Sequence, residues 1–312
     1  MKNIIDQTTS DIASIKIQGA TNVARATAEA IATYSLVVKA KKPAEFVLAI
    51  KKAGERLLSA RITEPMADNA IEFINYYLKK NSDLTVEELR RIAVDAAAYF
   101  LALIKQNDLK ISQFGQKLIK SGQKFMTHCH ASTVINIFKS AHKVGKKFSV
   151  FQTETRPLYQ GHRTARDLMQ AGIKDILIID SAASFYLSKL SGLEYGADKI
   201  IIGCDAIARD GSCVNKIGSF GIAMTAKTLG IPVYVATQAL KINEDAKNLQ
   251  VIKLEERSAK EVWSEAPKGL TILNPAFDRI PADLITGYIC EFGVVKPKEM
   301  IKLVKKNYPW LW

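Results

Sequence analysis

Apolar residues along positions 1–115 recur every three to four residues, the period of helices that each bury one face. Val23, Ala26, Ile31 and Leu36 line one such face, and Phe46, Ile50 and Leu57 line a second. Pro65 and Met66 open a third helix that continues through Ile71 and Ile74. Thr85 and Glu88 have the spacing of a capping box and predict the start of a fourth. The period changes near Lys124. Short apolar runs then predict strands at 125–128, 148–153, 176–179, 200–202, 233–236 and 270–273, with helical segments between most of them. Such alternation predicts an α/β chain: an N-terminal helical domain over residues 1–115, then a doubly wound, mostly parallel sheet domain over residues 116–312.

Against that scaffold, a few polar residues fall where packing alone explains them poorly. The run from Lys199 to Ser219 opens with a buried-strand pattern, Ile200 to Ile202, closed by Gly203. Asp205 follows at once, and an ionised carboxylate beside a buried sheet is costly unless it has a task. Open α/β sheets carry their sites at the carboxyl ends of strands, where this residue falls. Asn215 and Lys216 precede an apolar stretch, Ile217 to Leu229, that reads as a helix; a lysine and free amides at a helix start suit a phosphate. The same segment also reads as a strand, a polar loop and a helix without a site.

Cys129 lies just past another predicted strand end, within FMTHCHAS. A thiol there can serve as nucleophile or as acid and base if its pKa is lowered, or it can be a small buried hydrophobe. His128 and His130 flank it on one face of an extended segment, which suits either a metal or tuning of the thiol; no third ligand follows at a recognisable spacing. Arg156-Pro157 belongs to the loop leaving the next strand, and Gln160-Gly161 precede a helix through Leu168. Arg156 reads as an oxyanion ligand or as a surface arginine. Asp180-Ser181 reads as the cap of the helix that follows it. Gly19-Ala20 reads as an ordinary helix cap or as a close backbone approach to a ligand.

Composition narrows the classes of function. The chain has 312 residues, 48% hydrophobic and 24% charged, as a soluble globular protein would. Its formal net charge is +13, from 44 Lys+Arg against 31 Asp+Glu, but the basic residues are spread along the chain with no block of five. Nucleic-acid binding would rest on that charge alone. The four cysteines form no C-x-x-C pair, so reduced thiols in a cytoplasmic protein are expected. The N-terminus carries no apolar signal-peptide core. The apolar stretch 92–104 is interrupted by Asp95 and too short for a bilayer, so it predicts a buried helix and no membrane contact.

Taken in order, these segments resemble one family. It joins the regulatory subunits of initiation factor 2B, 5-methylthioribose-1-phosphate isomerase and archaeal ribose-1,5-bisphosphate isomerase. The stretches that carry the resemblance are QGA at 18–20, THC at 127–129, TETRP and QG between 153 and 161, DSAA at 180–183, GCDAI at 203–207, NKIG at 215–218 and NPAFD at 274–278. The resemblance implies a Rossmann-like sheet domain. The isomerases carry a cysteine after the TH pair and an aspartate in the G-x-D motif, matched here by Cys129 and Asp205 as the catalytic pair. TETRP and NPAFD look closest to the ribose-1,5-bisphosphate branch. Position by position, Gly19, Ala20, Arg61, Arg156, Asn215, Lys216 and Lys241 would line the substrate pocket. Two positions depart from the pattern: Gln18 stands where the family has arginine, and Ala131 where it has serine.

The resemblance thus implies isomerisation of ribose 1,5-bisphosphate to ribulose 1,5-bisphosphate. Asp205 would supply a proton to the ring oxygen from a dry apolar pocket, and either Cys129 would move a proton between C2 and C1 or a hydride would shift between the two carbons. No metal or organic cofactor is implied. A small-molecule sugar phosphate is the expected partner, and a homo-oligomer, either a dimer or a ring of dimers, is the expected assembly. The other branch implies a binding subunit that senses a nucleotide or sugar phosphate and needs no Cys129/Asp205 pair.

Overall fold

A computed structural model of the chain describes residues 3–60, 65–188, 192 and 195–312. Two compact units emerge. The first comprises residues 1–106, 240–244 and 304–312, and the second residues 107–239 and 245–303.

The first unit is helical. Its elements are α1 (Ile4–Ala13), α2 (Ala20–Val37), α3 (Pro43–Leu58), α4 (Pro65–Lys80) and the first part of α5 (Val86–Leu118). Local chemistry sets several ends. Pro43 occupies the first turn of α3 with Glu45, and Arg56 the last, in accord with the helix dipole. The Thr85 hydroxyl accepts from the Glu88 amide while the Glu88 carboxylate accepts from the Thr85 amide, so the expected capping box forms at α5. The expected faces of α3 and α4 are buried. On α2 the buried stripe is Val23, Ala24, Thr27, Ala28 and Ile31; Leu36, expected on it, is 60% exposed. Helical rotation past Ile31 turns it outward, and Ser35 takes the inner position. The stretch 92–104 is part of α5, and no described helix is long and apolar enough to cross a membrane.

One buried side chain of α4 helps tie residues 240–244 to this unit. The buried Asn69 amide donates to the carbonyls of Leu240 and Ile242, each at 2.8 Å. Asn69→Ala would leave both carbonyls without that donor and should cost about 1–3 kcal/mol. Chemical denaturation reads this directly; an unshifted midpoint would mean that the segment is held by other contacts.

The second unit is built on a seven-stranded sheet. Its strands are β1 (Lys124–Thr127), β2 (Ser149–Thr153), β3 (Lys174–Ile178), β4 (Lys199–Ile202), β7 (Val233–Ala236), β9 (Gly287–Cys290) and β10 (Gly293–Val295). The spatial order is β10-β9-β7-β4-β1-β2-β3, and only β10 runs antiparallel to its neighbour. Helices α6 (Ser132–Lys143), α7 (Gln160–Gln170), α8 (Ala183–Leu187) and α9 (Ser219–Leu229) are interleaved with these strands. Phe125, Phe138 and Phe148 pack in the core between β1, β2 and α6, with ring centroids 5.6–5.8 Å apart. The order reverses between β1 and β4: the chain moves from β1 outward through β2 and β3, then returns to the other side of β1. Sites in open α/β sheets form at such a reversal, beyond the carboxyl ends of the two strands.

The expected strand at 270–273 is absent, and Leu270 and Leu273 are exposed. The chain forms β8 a few residues later, at Phe277–Ile280, in a small antiparallel sheet with β5 (Ala206–Ile207) and β6 (Cys213–Lys216). That sheet, in the order β5-β6-β8, follows directly from the end of β4 and carries Asn215 and Lys216.

Candidate active site

Cys129 and Asp205 both follow strands at the reversal, two residues past the end of β1 and three past the end of β4. Cys129 is half-buried and its backbone is left-handed, with φ +66°. That region is uncommon for a residue with a Cβ. Its two backbone polar groups are both held: the amide donates to Thr155 Oγ1 at 3.0 Å, and the carbonyl accepts from Thr164 Oγ1 at 2.9 Å. Burial pushes the thiol up to about 11; the nearby carboxylates of Asp205 and Asp180 push the same way, and Lys216 opposes them. The Asp205 amide donates to the Val214 carbonyl at 2.9 Å, which fixes its backbone to β6. Its carboxylate accepts no hydrogen bond among the described residues, which leaves it open to a ligand.

His128 is buried, and burial holds its pKa down. Its Nε2 lies 2.8 Å from the Ile217 carbonyl and its Nδ1 2.5 Å from Thr153 Oγ1. A carbonyl only accepts, so Nε2 carries the proton and Nδ1 accepts from the hydroxyl. The two histidines turn to different partners, because His130 Nδ1 meets Thr164 Oγ1 at 3.1 Å. Among the described residues no group of three or more His, Cys, Asp and Glu side chains is placed to hold a metal ion.

Asp180 reads from the sequence as a helix cap. Its carboxylate instead accepts from the amides of Thr155 at 2.8 Å and Arg156 at 2.7 Å, and so shapes the loop that leaves β2. Two strand ends are thereby tied across their loops. The exposed Arg156 guanidinium donates to Tyr159 Oη and to the Val262 carbonyl, each at 3.0 Å. Asn215 and Lys216 do not sit at a helix start as expected. They pair with Asp278 and Phe277 in the small sheet, where three of the four residues of CVNK are buried. Helix α9 begins only at Ser219. The Gly218 and Phe220 amides at its start are taken by Asp278 Oδ2, at 2.8 and 3.0 Å. Burial raises the Asp278 carboxyl to about 6. Asn215 Nδ2 donates to Ser219 Oγ at 2.8 Å, and Lys216 Nζ lies 4.7 Å from the centre of the Phe277 ring.

Gly19, Ala20 and Lys241 belong to the first unit. Gly19 starts α2 with φ +83°, a conformation open to glycine, and Ala20 is buried behind it. Lys241 is buried in the segment that Asn69 anchors. Arg61 lies outside the described residues. The second unit thus brings together Cys129, Asp205 and Lys216, with Arg156 and Asn215 on the adjoining loop and strand. Sequence reasoning gave no role to Asp278, Thr153, Thr155 or Thr164. Only the alternate threonines of TET at the end of β2 offered a signal.

Three glycines let these segments meet. A Cβ on Gly161 would lie 1.9 Å from the Thr153 carbonyl oxygen, one on Gly203 2.6 Å from the Ala131 Cβ, and one on Gly218 3.1 Å from the His128 ring. Gly161→Ala must therefore push α7 away from β2, and we expect lower thermal stability together with loss of activity. A melting temperature equal to that of the wild type would show that the helix start can move freely. A second expectation concerns acid. Burial and the nearby Arg163 charge lower His130 from 6.5 to about 4. Between those values the unfolded chain binds the proton that the folded chain refuses, so stability falls as pH drops. His130→Gln should flatten that fall. Equal slopes of melting temperature against pH in the two proteins would remove the histidine from the account.

Comparison with known proteins accords with this arrangement. A profile of the initiation factor 2 subunit family matches residues 16–297. The chain is 34% identical over 308 residues to a ribose 1,5-bisphosphate isomerase of Pyrococcus furiosus, covering 96% of this chain and 92% of that one. Among solved structures it resembles a translation initiation factor eIF-2B of Pyrococcus horikoshii OT3, with a TM-score of 0.82 and 26% identity over 96% of this chain and 100% of the other. It also resembles a 5-methylthioribose 1-phosphate isomerase of the same organism, with a TM-score of 0.80 and 28% identity over 97% and 87% of the two chains. A profile match over most of the length, joined by a relative above 30% identity across nearly the whole chain, places this protein in the initiation factor 2 subunit family.

Proposed function

We propose that the chain is an aldose–ketose isomerase of a phosphorylated pentose, with ribose 1,5-bisphosphate as substrate and ribulose 1,5-bisphosphate as product. The observation that carries this reading is the pairing of a thiol and an open carboxylate at adjacent strand ends, with Lys216 acting on the same thiol. Similarity to the isomerase of Pyrococcus furiosus supports the choice of substrate. Asp205 delivers a proton to the ring oxygen as the C1–O bond breaks. Cys129 takes the proton from C2 and returns one to C1, while the C2 hydroxyl becomes the carbonyl and restores the proton to Asp205. Nothing is gained or lost, as an isomerisation requires. Since the thiol is pushed up to about 11, Cys129 rests protonated at neutral pH; in the complex it first passes that proton to the Asp205 carboxylate, which makes the base for C2 and the acid for the ring oxygen in one transfer.

Lys216 and Asn215 hold one phosphate in this reading. Arg156 joins them by exchanging the Val262 carbonyl for a phosphate oxygen. Gly19, Ala20, Arg61 and Lys241 enter on the resemblance alone, as does assembly into a dimer or a ring of dimers.

Turnover of ribose 1,5-bisphosphate followed by NMR is the test. Wild type should produce ribulose 1,5-bisphosphate, and in D₂O the product should carry deuterium at C1; its absence there would replace proton transfer with a hydride shift. Cys129→Ser and Asp205→Asn should each lower kcat by about 10²–10⁴-fold with sugar-phosphate binding kept, as expected for groups that move protons. Lys216→Ala should act mainly on KM. A wild-type protein that binds the bisphosphate and never converts it would overturn the reading in favour of a regulatory binding subunit.

A further inference from the structure

The left-handed backbone of Cys129 carries an inference that rests on the isomerase reading and deepens it. A residue with a Cβ at φ +66° is strained, and such conformations persist where the surroundings impose them. The surroundings here are two fully buried threonine hydroxyls. Thr155 Oγ1 accepts the Cys129 N–H, and Thr164 Oγ1 donates to the Cys129 carbonyl. We propose that Thr155 and Thr164 are positioning residues, a pair of hydroxyls that clamp the two peptide groups flanking the Cys129 Cα and so aim its thiol.

Each hydroxyl is itself oriented, which makes the clamp more than two isolated bonds. The Thr155 amide is held by Asp180 at 2.8 Å, with the threonine also left-handed at φ +63°. Its oxygen lies 3.3 Å from Thr153 Oγ1, whose proton goes to His128. On the other side, Thr164 sends its proton to the Cys129 carbonyl and accepts from His130 Nδ1 at 3.1 Å. Neither threonine touches the thiol. They act through the backbone, so their loss should turn the sulfur out of place without removing any group from the pocket. Misplacement of a reacting group by about 1 Å can cost roughly 10²-fold in rate.

Valine has the shape of threonine without the hydroxyl, and serine keeps the hydroxyl. Thr155→Val and Thr164→Val should each lower kcat about 10- to 100-fold with little change in KM. Thr155→Ser and Thr164→Ser should restore most of the turnover. A second readout does not depend on catalysis. The other three cysteines are buried, so iodoacetamide alkylation of the native protein, located by mass spectrometry, reports on Cys129. In wild type the rate should rise with pH towards about 11; in the valine variants the rise should move to lower pH as the thiol escapes burial, and in the serine variants it should stay. Valine variants with an unmoved alkylation profile would overturn the clamp, as would serine variants as impaired as the valine ones. Should the wild type prove inactive on the bisphosphate, the isomerase reading fails and the alkylation profile alone decides the clamp. Should one valine variant fail to fold, the other position gives the same test independently.

Discussion

The backbone of Cys129 is where the constraints on this site converge. A one-way chain of hydrogen bonds begins there. Its amide donates to Thr155, the Thr155 hydroxyl lies within reach of Thr153, Thr153 donates to His128 Nδ1, and His128 Nε2–H ends on the Ile217 carbonyl. With the imidazole neutral and protonated on Nε2, every donor in that chain finds an acceptor. Burial of His128 enforces the neutral form. Buried polar networks of this kind are worth having only when complete, because one missing partner leaves a desolvated group behind. This one joins three separate stretches of chain: the end of β1, the loop leaving β2, and the residue that follows Lys216.

The small residues at the site follow from the same demand. Gly161 and Gly203 stand where the segments approach one another too closely for a Cβ, and Gly218 turns at φ +104° beside the His128 ring. The helix start beside Lys216 shows a different economy. Amides at a helix N-terminus attract anions, but Asp278 already holds two of those at α9. The protein's own carboxylate locks the α9 start against β8, and Lys216 stays on β6 with its ammonium over the Phe277 ring. A phosphate near this point would therefore meet a side-chain cation rather than the Gly218 and Phe220 amides.

How much of this was legible in the sequence depended on whether the signal was periodic. Ile200 to Ile202 and the run 233–236 announce buried strands because continuous branched apolar residues suit a sheet covered on both faces. Thr85 and Glu88 announce a helix start because the box is local. The run 270–273 misled, since apolar content without tertiary context does not distinguish a strand from an exposed connector. Strand β6 reads as the lead into a helix because it is short and half polar, with Asn215 and Lys216 paired to residues some sixty positions on. Cys129 and Asp205 could be picked out by their positions after strand ends. Thr155, Thr164 and Asp278 could not, because their partners are backbone groups tens of residues away, and nothing local marks a threonine as holding a distant carbonyl.

The electrostatics of the pocket bear on what Cys129 can do. A nucleophilic thiol needs a depressed pKa, usually from a helix N-terminus or an adjacent cation. Here the helix that follows, α6, begins at Ser132, three residues on, and the thiol is pulled down by Lys216 and, less, by the His130 backbone amide. Burial and two carboxylates outweigh them. A thiol held in that balance is a poor resting nucleophile and a good store for a proton. Its balance is also easily changed: a phosphate that draws Lys216 away raises the thiol further, whereas protonation of Asp205 removes one of the charges that hold it up. The protonation of Cys129 is thus sensitive to the charges around it, those of Asp205 and Lys216 among them. In the isomerase reading proposed above, that sensitivity is what would let a proton delivered to the sugar's ring oxygen ease the transfer of another at the thiol.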